Sequence, residues 1–175
     1  FEEKFSIVER HTLSVPVDLQ VICDELGIKL NYGGLDEGLA GELRNDNGKY
    51  TITVNESAYS YRQRFTIAHE IGHYVLHQHL IGTGVDDNRA FRSEAGGNFN
   101  NVNIGLSHEA EANRFAASLL MPQRQIIRDA PYLTLNDLVA KYQVSESAMK
   151  IRLKVLGIDE NNLRNANTIN GAMVQ

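Results

Sequence analysis

The most informative part of the sequence is Arg62-Gln63-Arg64-Phe65-Thr66-Ile67-Ala68-His69-Glu70-Ile71-Gly72-His73. It lies within a segment, from about Ser57 to Leu80, that predicts one long helix. Positions four residues apart share a helix face, so the imidazoles of His69 and His73 can reach one metal ion. Glu70, next to His69, is placed to accept a proton from a water on that ion rather than to ligate it.

The five-residue pattern alone is weak evidence, because it also occurs by chance on exposed helices whose histidines bind nothing. Its context strengthens the metal interpretation. Five of the six histidines fall between His69 and His108. The preceding turn, residues 64–68, supplies apolar side chains that can bury one side of the helix. The histidine pair therefore predicts a metal site that needs a further ligand.

A second predicted helix, Ser107 to Met121, offers that ligand. Two histidines and one water leave a tetrahedral Zn²⁺ one protein ligand short. Glu109 shares a helical stripe with small and apolar side chains, whereas Glu111 belongs to a polar stripe expected to face solvent. We therefore predict Glu109 as the third ligand and expect Glu111→Ala to leave metal binding nearly unchanged. Asn113, one turn beyond Glu109, can accept a hydrogen bond from the outer nitrogen of a ligating histidine.

The alternative for Glu109 is a carboxylate that is merely favoured by the dipole at a helix N-terminus. The sequence pattern does not identify the residue that would stabilise the oxyanion of a hydrolytic reaction. Its four candidates are Tyr61, Tyr74, His77 and His108.

The two helical segments together resemble the ImmA/IrrE family of zinc metallopeptidases. The resemblance is carried by Arg62 to His73 and by Glu109 to Pro122, with its Phe-Ala-Ala and Leu-Leu-Met-Pro, and it extends over roughly Val17 to Gly157. It implies an α+β, zincin-like core of the gluzincin type, in which the helix of His69 lies against a small sheet. In the family, a Glu-x-x-x-Asn pattern carries the third ligand, and it falls on Glu109 and Asn113.

The resemblance also implies a mechanism and a substrate. His69, His73 and Glu109 would hold Zn²⁺ with water in the fourth position, and Glu70 would take the proton of that water during attack on the scissile carbonyl. Mn²⁺, Fe²⁺ or Co²⁺ suits the same donors. The expected protein substrate is a helix-turn-helix repressor, whose cleavage would derepress stress or mobile-element genes. Two alternatives remain: a non-catalytic, antitoxin-like module that binds a repressor, and a DNA-binding regulator.

A small sheet is predicted before the long helix. The strand candidates are Ile28–Tyr32, Leu39–Arg44 and Lys49–Asn55, and the last two flank Asn45-Asp46-Asn47-Gly48, a hairpin signal. A helix between Pro16 and Gly27 precedes them, since proline suits a first turn and glycine the residue past the end.

Composition bounds the function classes. The 175 residues are 42% hydrophobic and carry a net charge of −5, which is typical of a globular domain and a poor basis for general nucleic-acid binding. No apolar run is long enough for a transmembrane helix, so no membrane partner is expected. The single cysteine, Cys23, is predicted to be a buried thiol, and with no intrachain disulfide possible a reducing, cytoplasmic location is expected.

The C-terminal part, Leu133 to Gly157, contains two short helical patterns that resemble a helix-turn-helix. Gln143 stands where a turn glycine is usual, and acidic side chains dilute the basic ones. Both packing on the peptidase and DNA binding remain open for this segment. The predicted boundaries are 1–130 for the metallopeptidase domain, 131–157 for the helix-turn-helix-like segment and 158–175 for a tail.

The segment from Ile81 to Leu106 lies between the two ligand-bearing helices. It is rich in Gly, Asn and Asp and shows little periodicity. A connection of this length within a compact domain is usually a functional or mobile loop. We predict a loop that gates the active cleft, with a surface insertion of no function as the alternative.

Overall fold

The computed structural model describes residues 2–35, 38–81, 91–94 and 104–164. The helices within these ranges are α1 (Glu2–His11), α2 (Leu19–Glu25), α3 (Ser60–Leu76), α4 (Leu106–Leu120), α5 (Gln123–Asp129), α6 (Leu135–Tyr142) and α7 (Glu146–Val155). The strands are β1 (Ile28–Gly33), β2 (Leu39–Asp46), β3 (Lys49–Asn55) and β4 (Phe91–Glu94).

The strands form one mixed sheet in the order β1-β3-β2-β4. β1 is parallel to β3, while β2 is antiparallel to both β3 and β4. The predicted hairpin is confirmed, since Asn47 and Gly48 at its turn have φ values of 50° and 85°, which these residue types tolerate. Alternation along β3 buries Tyr50, Ile52 and Val54 on one face. The fold is therefore α+β, as predicted.

Two elements have no counterpart in the sequence prediction, α1 and β4. β4 lies inside the segment expected to be an irregular loop, and it pairs with β2 from Leu39↔Glu94 to Leu43↔Phe91. This pairing joins residues about fifty positions apart, and local periodicity carries no signal for it. Residues 82–90 and 95–103 lie outside the described residues, and so does most of the predicted gate.

The predicted helix over 57–80 divides into α3 and a separate 3-10 turn at Gln78–Leu80. His77, between them, leaves the helical conformation with φ −122° and ψ 17°. Thr66 to Val75 of α3 is buried without interruption, because the sheet covers one side of the helix and α4 the other. The predicted metal-binding pattern thus lies on a part of α3 that is buried on all sides.

α4 approaches α3 closely because Gly72 has no side chain at the contact. A Cβ atom on Gly72 would lie 3.1 Å from Phe115 Cδ1 and 3.3 Å from the Cα and carbonyl oxygen of Ala112. Ala112 and Ala116 are fully buried. The stripe of small residues predicted on α4 therefore faces α3. Because Gly72 has no Cβ atom, the two helices can pack more closely than a larger residue at this position would allow.

α6 and α7 form the predicted helix-turn-helix-like pair. Gln143 adopts the left-handed conformation with φ 53°, which a glycine would adopt at lower cost. Ser145 caps α7 by accepting a hydrogen bond from the amide of Ala148. The turn therefore forms without the usual glycine.

This pair packs on the preceding helices through both apolar and polar contacts. Leu138, Tyr142, Met149 and Leu153 are fully buried. The hydroxyl of Tyr142 donates to Asp129 Oδ2 at 2.9 Å, and Arg152 Nε donates to the carbonyl of Met121 at 2.9 Å. The chain from α4 to α7 is thus joined by side-chain hydrogen bonds as well as by its core.

Two predictions from composition can be compared with the structure. Cys23 is fully buried in α2, as predicted. Burial, with the charge of Asp24, raises the pKa of the thiol to about 12, so it stays protonated at neutral pH. Of the helices in the described ranges, none combines the length and hydropathy needed to cross a bilayer.

Candidate metal centre

Three buried side chains from α3 and α4 converge on one point. His69 Nε2 lies 3.1 Å from Glu109 Oε2, and His73 Nε2 lies 3.1 Å from Glu109 Oε1. The two Nε2 atoms are 3.0 Å apart. These are the only three neighbouring His, Cys, Asp or Glu side chains, among the described residues, whose geometry could hold an ion. The structure thus brings together the three residues predicted as ligands.

The donor set fits a divalent cation. Asn113 Oδ1 lies 3.0 Å from His69 Nδ1, and an amide oxygen only accepts, so His69 Nδ1 carries the hydrogen. The Nε2 atom of a neutral His69 then presents a lone pair to His73 Nε2 and to the Glu109 carboxylate. Converging lone pairs repel one another unless a cation lies between them. Two imidazoles and one carboxylate are a known set for Zn²⁺, with a position left open.

The electrostatics of the three groups favour an anionic carboxylate at the centre. Burial opposes the charge on Glu109, yet its contacts with the rings of His69 and His73 outweigh burial and lower its pKa to about 2. Burial lowers the pKa of His73. Burial also acts to lower the pKa of His69, but its contact with Glu109 and the charges of Glu70 and Glu109 raise that pKa above its usual value. At neutral pH the site therefore presents an anionic carboxylate beside a neutral His73.

Glu70 lies beside the three converging groups. It follows His69 on α3, it has no solvent exposure, and its charge acts on the pKa of His69. The i,i+4 pair of histidines occupies one face of the helix, and Glu70 is offset from that face by one residue. It is therefore close to the site, on the turn of α3 that carries His69.

A second pair of residues lies behind His73, and the sequence analysis missed it. His77 is buried, and its Nδ1 lies 3.1 Å from His73 Nδ1. Its Nε2 lies 3.0 Å from Glu111 Oε2. Glu111 is exposed, as predicted, but its carboxylate reaches back to a residue of α3. The signal for this contact was the third histidine at four-residue spacing, at position 77.

The other candidates for an oxyanion donor lie in different surroundings. The Tyr74 hydroxyl donates to the carbonyl of Leu26 and its ring packs edge-on against Tyr50, so it supports the core. Tyr61 is exposed and stacks on Tyr59. The Nδ1 atom of His108 accepts a hydrogen bond from the amide of Gly105 at the start of α4.

A cavity of about 560 Å³ lies between α3, α4 and α7, on the side of His69 that Asn113 contacts. Phe65 and Asn113 line it on the side of the centre, and most of the remaining wall is apolar. Ile151 and Val155 of α7, which are 65% and 69% exposed, border its outer side. The exposed face of α7 therefore contributes an apolar wall here.

Comparisons with known proteins agree with the geometry. The family model described as Peptidase_M78, IrrE N-terminal-like domain, matches residues 23–154, a range that contains every residue of the centre. No curated protein matches the chain.

Among solved structures, a Mycobacterium tuberculosis transcriptional regulator has a similar fold. The two chains superpose with a TM-score of 0.56 at 18% sequence identity, and the match covers 86% of this chain and 46% of that one. The chain thus spans less than half the length of that regulator, and the likeness concerns the fold alone.

Proposed function

This chain belongs to the Peptidase_M78 family, the family of the IrrE N-terminal-like domain that its resemblance to ImmA/IrrE proteins predicted, and we propose that it is a zinc-dependent endopeptidase. The observation that carries the proposal is the convergence of His69 Nε2, His73 Nε2 and Glu109 within 3.1 Å of one another. A site built only to stabilise the fold would have no need for a buried carboxylate such as Glu70 beside its first ligand.

His69, His73 and Glu109 would hold the ion. When bound, Zn²⁺ supplies Lewis acidity, which polarises a substrate carbonyl and lowers the pKa of water. Asn113 would fix the ring of His69 through the hydrogen bond to Nδ1. The same donors suit Mn²⁺, Fe²⁺ or Co²⁺, so zinc is the proposal and the metal content of the purified protein is its test.

Glu70 would be the general base and then the general acid. Its carboxylate would take a proton from the attacking water as the oxygen of that water forms a bond to the scissile carbonyl carbon. When the C–N bond breaks, Glu70 would return the proton to the leaving amine. Because Glu70 is screened from bulk solvent, the proton would remain close to the reacting atoms.

The cavity beside the centre would receive side chains of the substrate. It shares Asn113 and Phe65 with the surroundings of His69, so a polypeptide that fills it would contact the outer side of a proposed metal ligand. Its apolar wall favours apolar substrate side chains, since each buried methylene contributes about 0.8 kcal/mol.

For the biological substrate we propose a helix-turn-helix transcriptional repressor, whose cleavage in the cytoplasm would derepress stress or mobile-element genes. The family resemblance supports this choice. The test is to compare new protein N-termini in cells that express the wild type or Glu70→Gln. A new terminus within a DNA-binding repressor, present only with the wild type, is expected. New termini that never fall in such a repressor would refute the substrate while leaving the peptidase intact.

The contacts of α7 favour a packing role for the helix-turn-helix-like segment over DNA binding. Arg152 is committed to the carbonyl of Met121, and Lys150 forms an ion pair with Glu146 at 2.5 Å. Affinity for DNA depends on cations that are available to phosphates. We therefore propose that residues 131–157 support the core and border the substrate cavity.

A further inference from the structure

We propose that His77 and Glu111 form a relay that orients the metal-facing nitrogen of His73. The proposal rests on the metal site of the proposed function and does not depend on peptide cleavage. His77 would act as a positioning residue, with Glu111 as the group that fixes its hydrogen. The relay runs from the exposed edge of α4, across the buried ring of His77, to the ligand on α3.

The geometry places the three groups in one line of hydrogen bonds. Glu111 Oε2 lies 3.0 Å from His77 Nε2, and His77 Nδ1 lies 3.1 Å from His73 Nδ1. The Nε2 atom of His73 is the one that faces Glu109, at 3.1 Å. In each imidazole, one nitrogen therefore contacts the group nearer the protein surface and the other nitrogen faces the metal centre.

The chemistry of these atoms sets the direction of the hydrogens. A carboxylate only accepts, so His77 Nε2 carries the hydrogen that bonds to Glu111. A neutral imidazole has one N–H, which leaves His77 Nδ1 as an acceptor. His73 Nδ1 must then donate to it, and the lone pair of His73 falls on Nε2, the atom that faces the site. Without Glu111, the opposite arrangement would place the hydrogen of His73 on Nε2 and block the ligand.

The surroundings hold the relay in place. His77 follows the last residue of α3 and departs from helical geometry, and its side chain is 3% exposed. The ring of His108 packs against the ring of His77 with centroids 4.9 Å apart. Glu111 is the exposed member, with a side chain 46% exposed, so it can be replaced without disturbing the core. This makes Glu111 the residue at which the relay can be tested.

Both metal-binding histidines would then be oriented by an outer partner, but by different means. Asn113 does this for His69 through a single amide oxygen, whereas His73 relies on a second imidazole and a carboxylate. Loss of such outer partners typically weakens metal binding by about 10–100-fold. The expectation from the sequence, that Glu111→Ala leaves metal binding nearly unchanged, is replaced by this one.

The test is the affinity of the metal-free full chain for Zn²⁺, measured by competition with a chromogenic chelator. We expect Glu111→Ala to bind Zn²⁺ about 10–100-fold more weakly than the wild type. Glu111→Gln should bind more tightly than the alanine variant, because its amide oxygen can still accept from His77. Glu146→Ala, which removes an exposed carboxylate from α7, is the charge-matched control and should bind like the wild type.

Changes at His77 provide a second measurement. His77→Gln retains a side-chain oxygen that can accept from His73, whereas His77→Leu has no acceptor. The glutamine variant should therefore bind Zn²⁺ more tightly, and the visible spectrum of its Co²⁺ complex should stay closer to that of the wild type. Thermal unfolding of the metal-free variants separates these effects from loss of the fold.

Three results would overturn the relay. The first is wild-type affinity in Glu111→Ala. The second is an equal loss in Glu111→Gln and Glu111→Ala, since charge alone would then explain the effect. The third is an equal loss in the Glu146→Ala control. None of these results concerns peptide cleavage, so the relay could be refuted while the proposed peptidase activity is retained. Conversely, a protein without peptidase activity could still be used to measure Zn²⁺ affinity.

Discussion

Replacing Gly72 with alanine is expected to push α3 and α4 apart where they carry the proposed metal ligands. The new Cβ would lie 3.1 Å from Phe115 Cδ1 and 3.3 Å from backbone atoms of Ala112, and ordinary contact begins at 3.4 Å. Phe115 can yield by rotating its ring. The backbone of Ala112 can yield only if α4 moves by a few tenths of an ångström, and α4 carries Glu109.

The magnitude follows from two opposing contributions. Alanine favours a helix interior over glycine by about 1 kcal/mol, whereas an extra methyl group in a packed contact costs about 1–3 kcal/mol. The free energy of unfolding of the metal-free protein should therefore fall by up to about 2 kcal/mol. Ligand distances in metal sites tolerate only about 0.2 Å, so part of the strain should appear in metal binding. If about 1.4 kcal/mol appears there, the affinity falls about tenfold.

The assay combines urea unfolding of the metal-free protein with Zn²⁺ affinity by chelator competition. Gly34→Ala is the matched control, because a Cβ at Gly34 meets nothing within 4 Å. It should leave both quantities close to those of the wild type. If Gly72→Ala matched Gly34→Ala in both measurements, the close approach of the helices would not set the geometry of the site.

Three further predictions concern the ligand, the cavity and the C-terminal contact. Glu109→Ala should lower the zinc content measured by mass spectrometry, since two histidines alone are left; an unchanged zinc content would remove Glu109 from the ligand set. Ala117→Trp should fill part of the cavity and raise the KM for peptide cleavage with zinc content unchanged, and an unaltered KM would separate the cavity from the substrate. Burial opposes the charge of Asp129, but hydrogen bonds from Lys141, Arg128 and Tyr142 lower its pKa in the folded protein. The ionised Asp129 carboxylate therefore stabilises the fold at pH values above its unfolded pKa of about 3.9. This stabilisation is lost as the pH falls through the lower pKa of the folded state. Asp129→Asn should therefore weaken the decline of the urea midpoint in acid, and an identical decline in both proteins would contradict this.

The convergence of the proposed ligands could be predicted from the sequence because their geometry is local. His69 and His73 are one helical turn apart, so their shared face follows from helix geometry alone. Glu109 lies forty residues from His69, yet its orientation follows from the phase of small residues on its own helix. The stripe that contains Ala112 and Ala116 showed which side of α4 would face another helix.

The parts that sequence analysis missed depend on contacts between distant segments. β4 is four residues long and gains its regular structure by pairing with the edge of β2. No local pattern in residues 91–94 predicts this pairing. Glu111 lies on the exposed side of α4, as its phase predicts, but its side chain is long enough to reach His77. Helical phase predicts the side of the helix from which a side chain projects, but it does not predict which residue the end of a long side chain contacts.

Hydrolysis of peptide bonds at the buried centre, with Glu70 as the base, can be measured on a proteome-derived peptide library. The library is digested with the zinc-loaded wild type and with zinc-loaded Glu70→Gln, and new peptide termini are counted by mass spectrometry. We expect new termini with the wild type, and rates about 10²–10⁴-fold lower with Glu70→Gln at the same zinc content. Equal cleavage by the two proteins, or no cleavage by a wild type that holds one zinc ion, would contradict this expectation.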